Sequence, residues 1–148
     1  MNIIRLDNHE KLSNIPGSIS IIDKNDKIMT FTALIIEDDP TLADFFSESL
    51  KAVDIESERI YDGQTALDRL AELNPHIILL DLHLPQISGL KIVEEVRSLD
   101  HLAKTRIIVT TGDPRLADEV REKVDLVLDK PVGFEQLGLL CSRMCRPD

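Results

Sequence analysis

The sequence predicts an α/β fold, a doubly wound parallel sheet of five strands with helices on both faces. Two observations predict it. Four short apolar runs, at 33–36, 77–80, 107–109 and 126–128, mark strands, and the run at 77–80, continuous rather than alternating and too short for a helix, reads as a strand buried on both faces of a sheet. Between and after them lie stretches with apolar residues at helical spacing. With a fifth, alternating strand this makes five βα units in strict succession, and such alternation implies parallel strands joined by right-handed crossovers.

Residues 1–31 read as an N-terminal extension. Pro16-Gly17 marks a turn, and Ile19–Ile22 and 27–31 are expected to pair as a hairpin across the polar stretch 23–26. Residues 32–148 read as one α/β domain. After the first apolar run, Pro40 suits the first position of a helix carrying Leu42, Phe45, Phe46, Leu50 and Val53. Ile55–Ile60 alternates, as an exposed edge strand does. The next helix is expected over 63–73, with Ala66, Leu67, Leu70 and Leu73 on one face, and Asn74-Pro75 ends it. The strand that ends at Asp81 is followed by a loop over 82–88 and a helix with Leu90, Val93, Val96 and Leu99. A short helix over 114–122 precedes the last strand, and the closing helix carries Phe134, Leu137, Leu140, Cys141 and Met144. The residues after Lys130 suffice for that helix and for no output domain.

The apolar runs end in polar residues: Glu37-Asp38-Asp39, Asp81, Thr110-Thr111-Gly112 and Asp129-Lys130-Pro131. In a parallel sheet these ends share one edge, the edge at which open α/β sheets bind ligands. Taken singly, Asp81 reads as a turn residue, Lys130 as a surface lysine, and Thr110 and Thr111 as β-branched strand residues. Taken together, they place carboxylates, a hydroxyl and an ammonium in one shallow pocket.

In order and in spacing these motifs resemble the receiver domain of two-component response regulators. The resemblance spans roughly residues 31–145. It rests on Glu37-Asp38, on Asp81 with Pro85 and Gly89 behind it, on Thr111-Gly112 and on Lys130-Pro131. Asp81 follows Asp38 by 43 positions and precedes Thr111 by 30 and Lys130 by 49.

The resemblance implies a flavodoxin-like sheet of order 2-1-3-4-5, which sets Glu37-Asp38 beside Asp81 at the switch point. Clustered carboxylates repel unless a cation lies between them, and oxygen ligands select a hard ion, Mg²⁺ or Mn²⁺. By resemblance, Asp38 and Asp81 ligate it directly, Glu37 through water, and His83 through its backbone carbonyl, with the imidazole at the rim. Asp81 is then the nucleophile that accepts a phosphoryl group, and Lys130 neutralises the developing charge. Thr111 is preferred to Thr110 as the hydroxyl because Gly112 leaves room for a phosphoryl group. The implied partners are a histidine kinase or histidine phosphotransfer protein and an unnamed downstream protein; a homodimer is among the assemblies the resemblance allows. The chain departs from the family pattern at Val127, where an aromatic is usual, and at Lys123-Val124, where Gly-Ala is usual.

Two other classes compete. An aspartyl phosphohydrolase normally carries a second acid two residues after its nucleophile, and here that position is His83. An interaction module that keeps the fold without turning over phosphate is not excluded by the residues alone.

The resemblance implies a cytoplasmic protein, and the composition bounds the other classes. Of 148 residues 43% are hydrophobic, enough for an ordinary core, and the net charge of −10 argues against direct contact with nucleic acid or an anionic membrane. No apolar stretch approaches a membrane span or signal peptide. Cys141 and Cys145, four apart on a helix, suit apolar packing better than a disulfide.

Overall fold

The run Ile77–Asp81 forms the central strand of a parallel sheet, and each of its residues is buried. The computed structural model describes residues 2–5, 19–22 and 28–145. In chain order the strands are β1 (Asn2–Arg5), β2 (Ile19–Ile22), β3 (Ile28–Met29), β4 (Phe31–Ile36), β5 (Ile55–Ile60), β6 (Ile77–Asp81), β7 (Arg106–Thr111) and β8 (Leu126–Asp129). The helices are α1 (Pro40–Lys51), α2 (Gly63–Leu70), α3 (Gly89–Ser98), α4 (Pro114–Val120) and α5 (Phe134–Cys145).

Five strands pair in parallel in the order β5-β4-β6-β7-β8, the 2-1-3-4-5 order of a flavodoxin-like sheet. Because successive strand residues point to opposite faces, each strand feeds two cores. Ala33, Ile35, Leu79, Ile108 and Leu128 meet Phe46, Leu50, Leu137 and Cys141 of α1 and α5. Leu34, Ile36, Leu80, Ile107 and Val109 meet Ala66, Leu70, Ile92, Val96 and Val120 of α2, α3 and α4. The interior strands must therefore be apolar throughout, whereas edge strand β5 alternates and exposes its polar residues.

Helices start where short polar side chains take the first free amides. Asp39, Asp62, Ser88 and Asp113 cap α1, α2, α3 and α4 in this way. Two helices end earlier than their apolar spacing predicts. α2 stops at Leu70, yet Leu73 still packs against the α2–α4 core from the following turn. α4 stops at Val120, its last buried residue. A 3₁₀ turn at Asp100–Leu102, absent from the sequence reading, buries Leu102. α1 and α5 lie close: a Cβ on Gly138 would sit 3.0 Å from the Ser49 carbonyl oxygen, and the Ser49 hydroxyl donates to the Phe134 carbonyl.

The N-terminal strands form a separate sheet, β1-β2-β3. β2 runs antiparallel to β3, pairing Ile21 with Met29, as the expected hairpin requires. The hairpin's second strand ends at Met29 rather than Phe31, which instead begins β4, is buried, and pairs with Ile55. β1, parallel to β2, was not foreseen. The Pro16-Gly17 turn and the 23–26 link lie outside the described residues. Cys141 and Cys145 are free and buried in the α1/α5 core, and burial pushes both thiols up to about 12.

Candidate functional site

The carboxyl ends of β4, β6, β7 and β8 converge. Directly after β4, Glu37 is held by its N–H, which donates to the Ile60 carbonyl at 3.0 Å, and its side chain is only 2% exposed. Asp81, the last residue of β6, is likewise buried. Asp38 is exposed beside them, and one carboxylate oxygen from each of Glu37, Asp38 and Asp81 lies within 4.8 Å of the others. Three acids this close form an all-oxygen donor set that suits a hard divalent cation.

The third acid of the Glu-Asp-Asp run does something else. Asp39 spends its carboxylate on the Thr41 and Leu42 amides at 2.9 and 3.3 Å, capping α1, and its N–H donates to Glu37 Oε1 at 3.2 Å. The helix cap thus also fixes the Glu37 carboxylate.

Lys130 follows β8 and reaches across the sheet edge. Its Nζ lies 3.1 Å from Glu37 Oε2 and 3.4 Å from Asp81 Oδ1, while its N–H donates to the Thr111 carbonyl at 2.9 Å. The Lys130–Pro131 peptide is cis. Asp81 Oδ1 also accepts the His83 N–H at 3.0 Å, and His83 itself is exposed at the rim. Asp81 Oδ1 thus meets both the His83 amide and the Lys130 ammonium. Burial, and then the charge of Asp81, raises the Glu37 carboxyl from 4.5 to about 7, against the lowering effects of the Asp39 amide and Lys130.

Thr111 is buried, and its hydroxyl accepts the Asp113 N–H at 3.0 Å, which ties it to the loop leading into α4. A Cβ on the neighbouring Gly112 would meet nothing within 4 Å, so space lies open there. Glu37, Asp38, Asp81 and Lys130 therefore share one cluster, with His83 joined through its backbone and Thr111 at the end of β7, tied to the adjoining loop. Taken singly, Gly89 reads in the sequence as an ordinary loop residue, and the structure gives it a tighter role. A Cβ there would lie 2.8 Å from the Leu82 Cα, so the start of α3 presses on the backbone next to Asp81.

Residues 33–140 match the family model described as the response regulator receiver domain. The chain belongs to that family. Receiver domains are signalling modules rather than classical enzymes. Among curated relatives, the receiver is 29% identical over 108 residues to the polar-differentiation response regulator DivK of Brucella ovis, covering 71% of this chain and 88% of DivK. It is 27% identical over 114 residues to the regulatory protein AtoC of Escherichia coli, covering 74% of this chain but only 24% of AtoC. The CheY-like receiver domain from Methylobacillus flagellatus superposes with a TM-score of 0.72 at 26% identity, over 78% of this chain and 99% of that one. Chemotaxis response regulator CheY4 of Vibrio cholerae superposes with a TM-score of 0.73 at 24% identity, over 78% and 99%, a likeness of fold. Among the described residues, no helix is long and apolar enough to cross a membrane.

Proposed function

We propose that this receiver is a phospho-acceptor in a two-component or phosphorelay system, with Asp81 as the acceptor and a histidine kinase or histidine phosphotransfer protein as the donor. The observation that carries the reading is the placement of Lys130 Nζ 3.4 Å from Asp81 Oδ1 beside three carboxylates within 4.8 Å of one another.

The residues fit Mg²⁺ or Mn²⁺, which Asp38 and Asp81 would hold directly, Glu37 through water, and His83 through its carbonyl. When bound, such an ion supplies positive charge opposite the transferring phosphoryl oxygens. In the transfer, Asp81 Oδ2 forms a bond to phosphorus as the phosphorus–nitrogen bond of the donor imidazole breaks. The imidazole keeps that electron pair and takes up a proton. The His83 amide holds the other carboxylate oxygen and so orients the nucleophile. Lys130 meets the negative charge that develops, a role for a preformed cation that needs no reorganisation. Thr111 turns from the Asp113 amide towards the new phosphoryl oxygens, carrying the loop before α4 with it.

A phosphohydrolase is disfavoured by the same geometry, because His83 faces solvent and touches Asp81 only through its amide. We read residues 32–148 as the receiver and residues 1–31 as an extension, in a protein working in the cytoplasm. Incubation with a small phosphodonor tests the reading: label should enter the protein with Mg²⁺ present and not after chelation. Uptake that is equal with and without divalent cation, or absent in both, contradicts it.

A further inference from the structure

Thr110 is a fully buried residue whose Oγ1 has no hydrogen-bond partner among the described residues. A buried hydroxyl left unpaired costs stability, and its place in the sheet gives it a use. Thr110 of β7 is the register partner of Asp81 of β6. Side chains alternate along each strand, so Asp81 points with Leu79, and Thr110 with Ile108, towards the α1/α5 side. Neighbouring strands lie about 4.8 Å apart, so paired residues on one face are neighbours. Lys130, beyond β8, spans β7 to reach Asp81 and Glu37, so Thr110 lies on the strand that the ammonium crosses. Its neighbour Thr111 faces the opposite way, and its hydroxyl is already engaged by the Asp113 amide.

We propose that Thr110 is a further positioning residue of the site, whose hydroxyl donates to Asp81 Oδ1 once Asp81 carries a phosphoryl group. The inference rests on the phospho-acceptor reading of Asp81. In the resting protein Oδ1 takes the His83 amide and the Lys130 ammonium. A phosphoryl group on Oδ2 adds roughly two negative charges and draws the ammonium to itself, so Oδ1, the oxygen through which Asp81 would then hold the divalent ion, gives up one of the donors it has at rest. Thr110 holds a spare donor on the paired residue of the same face. The hydroxyl is unpaired before phosphorylation and paired after it, so it favours the phosphorylated form.

The test compares Thr110→Val, which keeps the shape, with Thr110→Ser, which keeps the hydroxyl, using beryllium trifluoride with Mg²⁺ as the phosphoryl mimic. Thr110→Val should bind the mimic about fivefold more weakly, the worth of one ordinary hydrogen bond, and Thr110→Ser should bind as wild type does. Without the mimic, Thr110→Val should unfold at the same or a higher temperature, because it discards an unpaired buried hydroxyl. Equal mimic affinity in wild type and Thr110→Val overturns the role of Thr110 alone. So does a Thr110→Val protein that is destabilised at rest, since the hydroxyl is then paired from the start. Failure of the wild type to bind the mimic overturns the phospho-acceptor reading, and this inference with it.

Discussion

Lys130 Nζ lies 3.4 Å from Asp81 Oδ1, although Asp81 ends β6 and Lys130 follows β8, with β7 between them. The same ammonium is 3.1 Å from Glu37 Oε2 and so stands between two buried acids. Removing it by Lys130→Met should slow phosphoryl uptake at least tenfold, as expected for a lost charge-stabilising group. Mg²⁺ affinity should be unchanged or higher, because the carboxylates lose a competing cation. Uptake rates together with Mg²⁺ titration check this; weaker Mg²⁺ binding would contradict it.

Adjacent acids are expected to separate cleanly by function. Asp38 belongs to the three-carboxylate cluster, whereas Asp39 caps α1. Asp38→Asn should weaken Mg²⁺ binding at least tenfold with little change in unfolding midpoint. Asp39→Ala should instead cost about 1 kcal/mol of stability and leave Mg²⁺ binding within a fewfold of wild type. Metal titration and thermal unfolding of both variants distinguish the assignments; equal losses of Mg²⁺ binding would undo them.

Glu37 predicts a pH dependence in divalent-free buffer. Its carboxyl is raised from 4.5 to about 7, by burial first and by Asp81 second. Between those values the folded protein holds a proton that the unfolded chain has released. The contribution to stability is therefore full below about 4.5, declines as pH rises to about 7, and stays low above it. His76, whose imidazole is held below 6.5 by desolvation, acts in the opposite sense. The difference between wild type and Glu37→Gln isolates Glu37: the variant should gain midpoint relative to wild type by several degrees between pH 4.5 and 7. A flat difference contradicts the shift.

Much of the fold is legible in the sequence because parallel interior strands are buried on both faces and can only be apolar. Ile77–Asp81 illustrates this, since no residue in it faces solvent. Edge strand β5 is legible for the converse reason, whereas β8, at the other edge, is apolar and reads like an interior strand. Helix ends are less so: Leu73 serves the core from a turn, and periodicity cannot distinguish that from another helical residue. The parallel pairing of β1 with β2 joins segments distant in sequence, which no local pattern encodes.

The site was legible as a convergence of strand ends, but not in its division of labour. Glu37, Asp38 and Asp39 are chemically alike in sequence, and only the helix start separates the cap from the cluster. Gly89 looked like loop punctuation until the Leu82 backbone appeared beside it. Thr110 and Thr111 differ by which face of β7 each occupies. At Val127 the departure from the family's usual aromatic has a visible setting: Val127 is partly buried against the α2–α4 core. The turn before it is tied down by Arg97, which donates to the Lys123 and Thr105 carbonyls and to Asp125 at 2.9, 3.0 and 3.0 Å.

The most direct measurement is phosphopeptide mapping after labelling with a phosphorylated histidine phosphotransfer protein and Mg²⁺, run on wild type and Asp81→Asn side by side. The wild type should carry a base-labile, hydroxylamine-sensitive phosphoryl group on the peptide containing Asp81, and Asp81→Asn should carry none. Label that persists in Asp81→Asn, or that maps to any other peptide, would contradict the assignment of Asp81 as the acceptor.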